Sequence, residues 1–344
     1  MSESLRIGVV GAGMIAGVIA EAATRASGVF LQAVASRRQH RAQAFADQHG
    51  ISEVFADWQA LVGSETIDAV YVATPTQARE AVCLAAAGEG KHVLGEKPFA
   101  SLPSVQRITQ ACRDNQVAFM DATHFVHHPR TAILKSVIRE RLGTPLALRS
   151  AFFGPNSDSS NIRYDRSQEP MGAIGDLAWY CMRAIAEFLP EPGMIEDVQV
   201  TVRRDPGSQA VVRAAGVLRF ATGSTATWDV GFDANTLLMD LDVIGSDAVI
   251  KLDDFVLDWA AGFRGPDPEP EFPVGFSLRS GAVTPRRFEW RDTPAAKPQS
   301  VLMLEGFAAL AGDPGAAAAL AAMAMTERTQ ELLDAVWAEV ERRR

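Results

Sequence analysis

Apolar residues run almost unbroken through five stretches of the first 120 residues: LRIGVVG, FLQAVAS, IDAVYVAT, KHVLGEK and VAFMD. They are rich in Val and Ile, the pattern of parallel strands covered on both faces. Between them, the stretches 14–26, 39–50, 76–87 and 102–115 carry helical spacing. Strand alternating with helix predicts a doubly wound parallel sheet with right-handed crossovers.

The pattern changes after Asp121. Residues 129–142 read as a helix, 154–170 as a long loop rich in Ser, Asn and Asp, and 176–189 as a second helix. Strand-like runs then follow one another: DVQVTVRR, AVVRAAGVLRF, TATWDVGF, LLMDLDVIG and AVIKL, with ATGS as a hairpin turn. The stretch 262–298 is rich in Pro and charge and reads as surface loops with short strands. Helices over about 301–311 and 323–341 close the chain. The expected fold is α/β. A doubly wound domain covers 1–122, and an α+β domain with a mostly antiparallel, open sheet covers 123–344, including the helices within 301–341.

Composition narrows the partners. At 344 residues the chain has room for two domains. Its formal charge of −9 argues against a nucleic-acid partner, because neutralising phosphates calls for a basic face. No apolar run approaches the length of a membrane span; the Ala-rich stretch 315–325 is too short. MSESLRIGVV lacks the basic start of a signal peptide. Cys83, Cys112 and Cys181 are odd in number and widely spaced, as expected of reduced core thiols in a cytoplasmic protein.

The first strand-like run ends in Gly11-Ala12-Gly13-Met14-Ile15-Ala16, a G-x-G-x-x-A element between a strand and a helix. In that context Gly11 permits a tight turn and Gly13 lets a pyrophosphate approach the backbone. The phosphates then sit on the positive end of the helix, over Met14 and Ile15. The second run ends in Ser36-Arg37-Arg38, where an NAD site usually places an acidic residue for the ribose hydroxyls. A hydroxyl and two guanidiniums suit a 2′-phosphate instead, so NADP is expected over NAD. Thr74 and Pro75 follow another strand and are expected to wall the cofactor crevice. KHVLGEKP brings Glu96, Lys97 and Pro98 to the end of a buried run. That is either a surface turn with a chance ion pair or a lysine aimed into a site.

G-x-G-x-x-A, Ala73-Thr74-Pro75-Thr76 and GKHVLGEKP (90–98) together resemble the Gfo/Idh/MocA oxidoreductases. Met171-Gly172-Ala173-Ile174-Gly175-Asp176-Leu177-Ala178-Trp179-Tyr180 looks like that family's G-x-x-x-D-x-G-x-H/Y element. The version bearing Tyr resembles glucose–fructose oxidoreductase and the dimeric dihydrodiol dehydrogenases more than the inositol dehydrogenases. The chain departs from the family at Arg79, where His is frequent, at Ala178, where Gly is frequent, and near His124, where Asn or Arg is frequent. These departures bear on the substrate more than on the fold.

The resemblance implies that Lys97 contacts cofactor and substrate, that the Lys97–Pro98 bond is cis, and that Glu96 is its structural neighbour. Asp176 and Tyr180, four apart, share one helix face. A tyrosine ordinarily ionises near pH 10 and needs a nearby cation to act near neutrality. Tyr180 is therefore expected as acid/base and Lys97 as the group that favours its phenolate. Asp176 would bind a second hydroxyl or orient Lys97. His124, Asn161 and Arg163 are expected substrate contacts. His127 and His128 are adjacent and cannot easily face one ion, so no metal is expected. The resemblance implies hydride transfer between nicotinamide and a secondary alcohol or carbonyl of a sugar, polyol or cyclic diol. Its rivals are a sugar–sugar oxidoreductase that keeps its NADP and a non-catalytic dinucleotide sensor. The family also implies pairing through the second-domain sheet, hence a homodimer or larger homo-oligomer.

Overall fold

The structure, a computed structural model, describes residues 4–258, 273–281 and 287–343. The first elements alternate as strand and helix: β1 (Leu5–Val10), α1 (Met14–Ala23), β2 (Val29–Ala35), α2 (Gln39–His49), β3 (Glu53–Phe55), α3 (Trp58–Val62), β4 (Ala69–Val72), α4 (Thr76–Gly88), β5 (His92–Gly95), α5 (Leu102–Asp114) and β6 (Phe119–Asp121). Their sheet has six parallel strands in the order β3-β2-β1-β4-β5-β6. The order reverses between β1 and β4, the switch point where such sheets open a crevice at their carboxyl ends. Two elements here escape the hydrophobic pattern. Strand β3 is three residues long, and α3 is a single turn started by the Asp57 side chain, which accepts from Ala60 N at 2.8 Å.

The second set is α6 (Pro129–Arg141), β7 (Pro145–Pro155), α7 (Trp179–Phe188), β8 (Ile195–Arg204), β9 (Val211–Phe220), β10 (Thr225–Gly231), β11 (Asp233–Leu238), β12 (Leu241–Gly245), β13 (Ala248–Leu252), β14 (Gly275–Ser280) and β15 (Arg287–Asp292). They form a nine-stranded sheet in the order β15-β14-β13-β12-β7-β10-β9-β8, with β11 against β7. Every pairing is antiparallel except β7 with β10. Strand β7 is absent from the sequence reading. Its inner face is Leu148, Ser150 and Phe152, and the buried serine interrupts the apolar alternation that would have marked it. The run LLMDLDVIG is two strands, not one. Part of the 262–298 reading lies outside the described residues; within it, β14 and β15 are present.

The helices α8 (Gln299–Gly312) and α9 (Ala317–Arg342) end the chain. The compact units differ from the division at residue 122. Unit 1 is Met1–His127 with Lys297–Glu327, and unit 2 is His128–Ala296 with Arg328–Arg344. The physical reason is α8. Its Val301, Met303, Leu304 and Phe307 share one core with Ile7, Val9, Val34, Tyr71 and Leu94 of the parallel sheet. The unit boundary thus falls inside α9. No described helix is long and apolar enough to cross a membrane.

Candidate active site

In unit 1 the G-x-G-x-x-A element occupies the β1–α1 turn. Gly11 has φ +115°, and a Cβ there would meet Ala73 O at 2.6 Å. Both the conformation and the close approach exclude a side chain. Gly11 N donates to Ala35 O at 2.8 Å, which pins the turn to the end of β2. Gly13 is the N-cap of α1 and offers no capping side chain. A Cβ on Gly13 would meet nothing within 4 Å. Free N–H groups at a helix start beside open space fit the pyrophosphate of a dinucleotide. Met14 and Ile15 form the first turn over that space. Ser36 follows β2 directly, Arg37 is exposed, and Arg38 is the exposed N-cap of α2.

Thr74 and Pro75 leave β4, and Pro75 stands at the N-cap position of α4. The Thr74 hydroxyl oxygen is buried and makes no hydrogen bond among the described residues, as fits a polar ligand group. On the adjacent strand, Gly95 pairs with Val72 and the chain continues into Glu96 and Lys97. The Lys97–Pro98 peptide is cis. Glu96 is buried. It accepts from the Tyr71 hydroxyl at 2.7 Å and from Lys97 N at 3.3 Å. Burial pushes its carboxyl up, against the charge of Lys97 and the Tyr71 hydrogen bond. Glu96 therefore props the turn that carries Lys97.

His124 opens a 3₁₀ turn (His124–His127) just after β6. It is 5% exposed. Its Nδ1 is 2.9 Å from Gln299 Oε1 of α8. Burial, against the Gln299 hydrogen bond, drives its pKa down from 6.5 to about 4, so the imidazole is neutral at physiological pH. Beside it, Asp121 takes the Thr326 hydroxyl at 2.6 Å and Thr123 N at 3.1 Å, which ties the end of β6 to α9.

In unit 2 the expected i, i+4 pair is built differently from a plain α-helix. Asp176 lies in a π-helical turn (Ile174–Ala178), and Tyr180 lies in the α7 that follows. Single π turns inside helices are frequent at functional sites. Arg163 forks Asp176, with Nε 2.5 Å from Oδ2 and Nη2 3.2 Å from Oδ1. The Asn161 side chain caps the short 3₁₀ turn Ile162–Tyr164 by accepting from Arg163 N at 3.1 Å. The charge of Asp176 raises the pKa of Arg163, with a smaller effect from Tyr180. Asn161, Arg163, Asp176 and Tyr180 thus gather in one place. Arg163 and Asn161 are not solvated loop residues but parts of a built cluster. The buried Tyr180 ring stands edge-on to Phe152 of β7, with centroids 5.4 Å apart. Lys97 belongs to unit 1 and the Asp176 cluster to unit 2.

Sequence reasoning noted Arg79 only as a departure and did not place it in the site. It is 4% exposed and donates to Thr74 O at 2.5 Å and to Pro98 O. Nothing in its own helical spacing signals those carbonyls. His128 caps α6 and lies 3.1 Å from Asp258. Among the described residues no group of three or more His, Cys, Asp or Glu side chains forms a metal-binding set.

Comparison with known proteins identifies the family of both domains. Residues 5–123 match the model of an oxidoreductase family with an NAD-binding Rossmann fold, GFO_IDH_MocA. Residues 132–251 match the GFO/IDH/MocA C-terminal domain. The chain is 32% identical over 203 residues to D-xylose 1-dehydrogenase (NADP(+)) 2 of Haloferax volcanii, covering 58% of this chain and 61% of that relative. It is 30% identical over 235 residues to dTDP-3,4-didehydro-2,6-dideoxy-alpha-D-glucose 3-reductase of Actinomadura kijaniata, covering 67% of this chain and 70% of the relative. Among solved structures, a 3-ketoreductase from Actinomadura kijaniata in complex with NADP and TDP-benzene matches with a TM-score of 0.84 at 23% identity, over 98% of both chains.

Proposed function

The chain belongs to the Gfo/Idh/MocA oxidoreductase family, and from that premise we propose that it is an NADP-dependent enzyme acting on a secondary alcohol, or its carbonyl, in a sugar, polyol or cyclic diol. The observation that carries the reading is the β1–α1 turn. Gly11 admits no side chain, Gly13 faces open space, and Ser36-Arg37-Arg38 follow the neighbouring strand β2. The names of the relatives support a sugar-like substrate, since each describes chemistry at a sugar carbon.

NADP, when bound, supplies the hydride chemistry. The chain's own residues handle binding and the proton. Gly11 and Gly13 admit the pyrophosphate, while Arg37 and Arg38 read the 2′-phosphate. Tyr180 exchanges the hydroxyl proton of the substrate. Lys97 favours the phenolate of Tyr180 and orients the reacting oxygen. Asp176, aligned by Arg163, holds a second substrate hydroxyl, and His124 and Asn161 contribute neutral hydrogen-bonding groups. The enzyme works in the cytoplasm with its three cysteines reduced, each buried and unbridged. It assembles as a homodimer or larger homo-oligomer. The candidate surface is the sheet face where Val217, Thr227, Arg149, Asp242 and Lys251 lie side by side across five strands.

The test is a spectrophotometric screen of NADP and NAD against D-xylose, inositols and dihydrodiols, with light scattering for the assembly. Wild type should turn over at least one substrate with NADP preferred. Tyr180→Phe and Lys97→Met should each lose about 100-fold or more in kcat, the scale of general acid–base catalysis. NADPH binding without turnover of any substrate hands the protein to the sensor reading. A preference for NAD sinks the 2′-phosphate assignment.

A further inference from the structure

Arg79 is the fourth residue of α4. A cation in the first turn of a helix opposes the helix dipole, and burying a guanidinium demands good partners. Its position therefore serves something other than the stability of α4. Its donors reach across two loops. One Nη group donates to Thr74 O at 2.5 Å. The other donates to Pro98 O and lies 3.3 Å from the Thr76 hydroxyl. The guanidinium also stands 5.9 Å from the centre of the Phe99 ring.

The backbone explains why a bridge is needed at this point. Strands β4 and β5 pair in register up to Val72 and Gly95. Glu96 N still donates to Val72 O at 3.0 Å. Past that rung one chain turns into α4 through Thr74 and Pro75, and the other turns through Lys97 and Pro98 into α5. Arg79 continues the stitching with its side chain, from the carbonyl of Thr74 to the carbonyl beside Lys97. The rigid guanidinium fork can serve two carbonyls at once, which a single ammonium on a flexible stem does poorly.

We infer that Arg79 is a positioning residue: it locks the Thr74 loop to the Lys97–Pro98 turn, so that the Thr74 hydroxyl and the Lys97 amine are presented to the dinucleotide as one fixed pair. The inference rests on the proposed NADP reading. It makes Arg79 act through Lys97, not on substrate or cofactor directly.

The experiment is a titration with NADPH, followed by nicotinamide fluorescence, of wild type, Arg79→Met, Arg79→Lys, Lys97→Met and the Arg79→Met/Lys97→Met double variant. Thermal melts run alongside. Arg79→Met should raise the NADPH Kd about 10-fold, the scale of one lost coupling between neighbours. Arg79→Lys, which keeps the buried charge and can serve one carbonyl, should fall between it and wild type and keeps the test available if Arg79→Met does not fold. The double variant should bind no more than about 2-fold more weakly than the worse single variant, because residues acting as a unit are not additive. The inference is overturned if the Arg79 variants bind within about 2-fold of wild type, if the two losses multiply, or if the loss of affinity follows the loss of melting temperature across the series. Failure of wild type itself to bind NADPH removes the functional reading and this inference together, whereas wild-type binding with unaffected Arg79 variants removes the inference alone.

Discussion

The two units treat buried charge in opposite ways. In unit 1 the polar interior near the sheet's carboxyl end is held by neutral partners. Arg79 donates to backbone carbonyls, and His124 meets an amide and is driven neutral. In unit 2 buried charges come in pairs: Arg130 with Asp254, and Arg183 with Glu187. Breaking a pair strands a charge, while perturbing a neutral group changes only when it takes up a proton. Breaking a pair should therefore show in stability, and the buried neutral His124 should show in the pH dependence.

The largest expected effect tests the paired half. Arg130 and Asp254 are 3% and 0% exposed at their side chains and meet at 2.5 Å. Arg130 also donates to the Asp254 carbonyl at 2.9 Å. Arg130→Met leaves the carboxylate buried without this partner and should cost roughly 3–5 kcal/mol. The exposed pair Arg203–Asp233, 55% and 34% exposed, is the control; Arg203→Ala should cost under about 1 kcal/mol. Urea midpoints of both variants check the contrast, and equal losses would erase it.

The neutral half answers to pH. The pKa of His124 falls from 6.5 to about 4 on folding, so the unfolded chain takes up the proton first as the pH drops. Its contribution is therefore complete above about pH 6.5 and is lost as the pH falls towards 4. The linked free energy is at most roughly 3 kcal/mol. The buried partner is Gln299, and the charges of Lys97 and His127 add to the effect. His124→Gln should flatten the stability curve between pH 4 and 6.5 relative to wild type, as read from urea midpoints at half-unit steps. Parallel curves for the two proteins would contradict a neutral, buried imidazole.

The same contrast governs what the sequence discloses. The unit 1 crevice is made by backbone, and backbone demands leave local marks. Gly11 must be glycine because of its φ and the Ala73 carbonyl, and the strand–turn–helix context frames it. Ser36-Arg37-Arg38, proposed for the 2′-phosphate, directly follow a recognisable strand. Arg79 stays hidden because its partners are carbonyls, which carry no residue identity. In unit 2 the site depends on side chains that meet across a loop. Arg163 and Asp176 are 13 residues apart, and no periodicity links a guanidinium in a Ser- and Asp-rich loop to a carboxylate in a helix start. Strand β7 went unread for a related reason, as its inner row includes a buried serine. The placement of 297–327 with unit 1 was equally invisible, because an apolar helix face does not say which core it completes.

The smallest effect bears on the point where the comparison meets the proposed chemistry. Arg163–Asp176 is a paired charge, yet its side chains are 28% and 18% exposed, so its weight in stability is moderate. Arg163→Met removes both prongs of the fork and should cost about 1–2 kcal/mol, the range for a charged hydrogen bond that retains some water. Turnover should fall by roughly 10-fold or more, because Asp176 loses its alignment. The NADPH Kd should stay at the wild-type value, because the residues proposed to bind the cofactor lie in unit 1. Arg163→Lys restores charge without the bidentate geometry and should recover stability better than turnover. If Lys restores both equally, Asp176 needs only a nearby positive charge, and the π-helical turn presents a carboxylate whose direction does not matter.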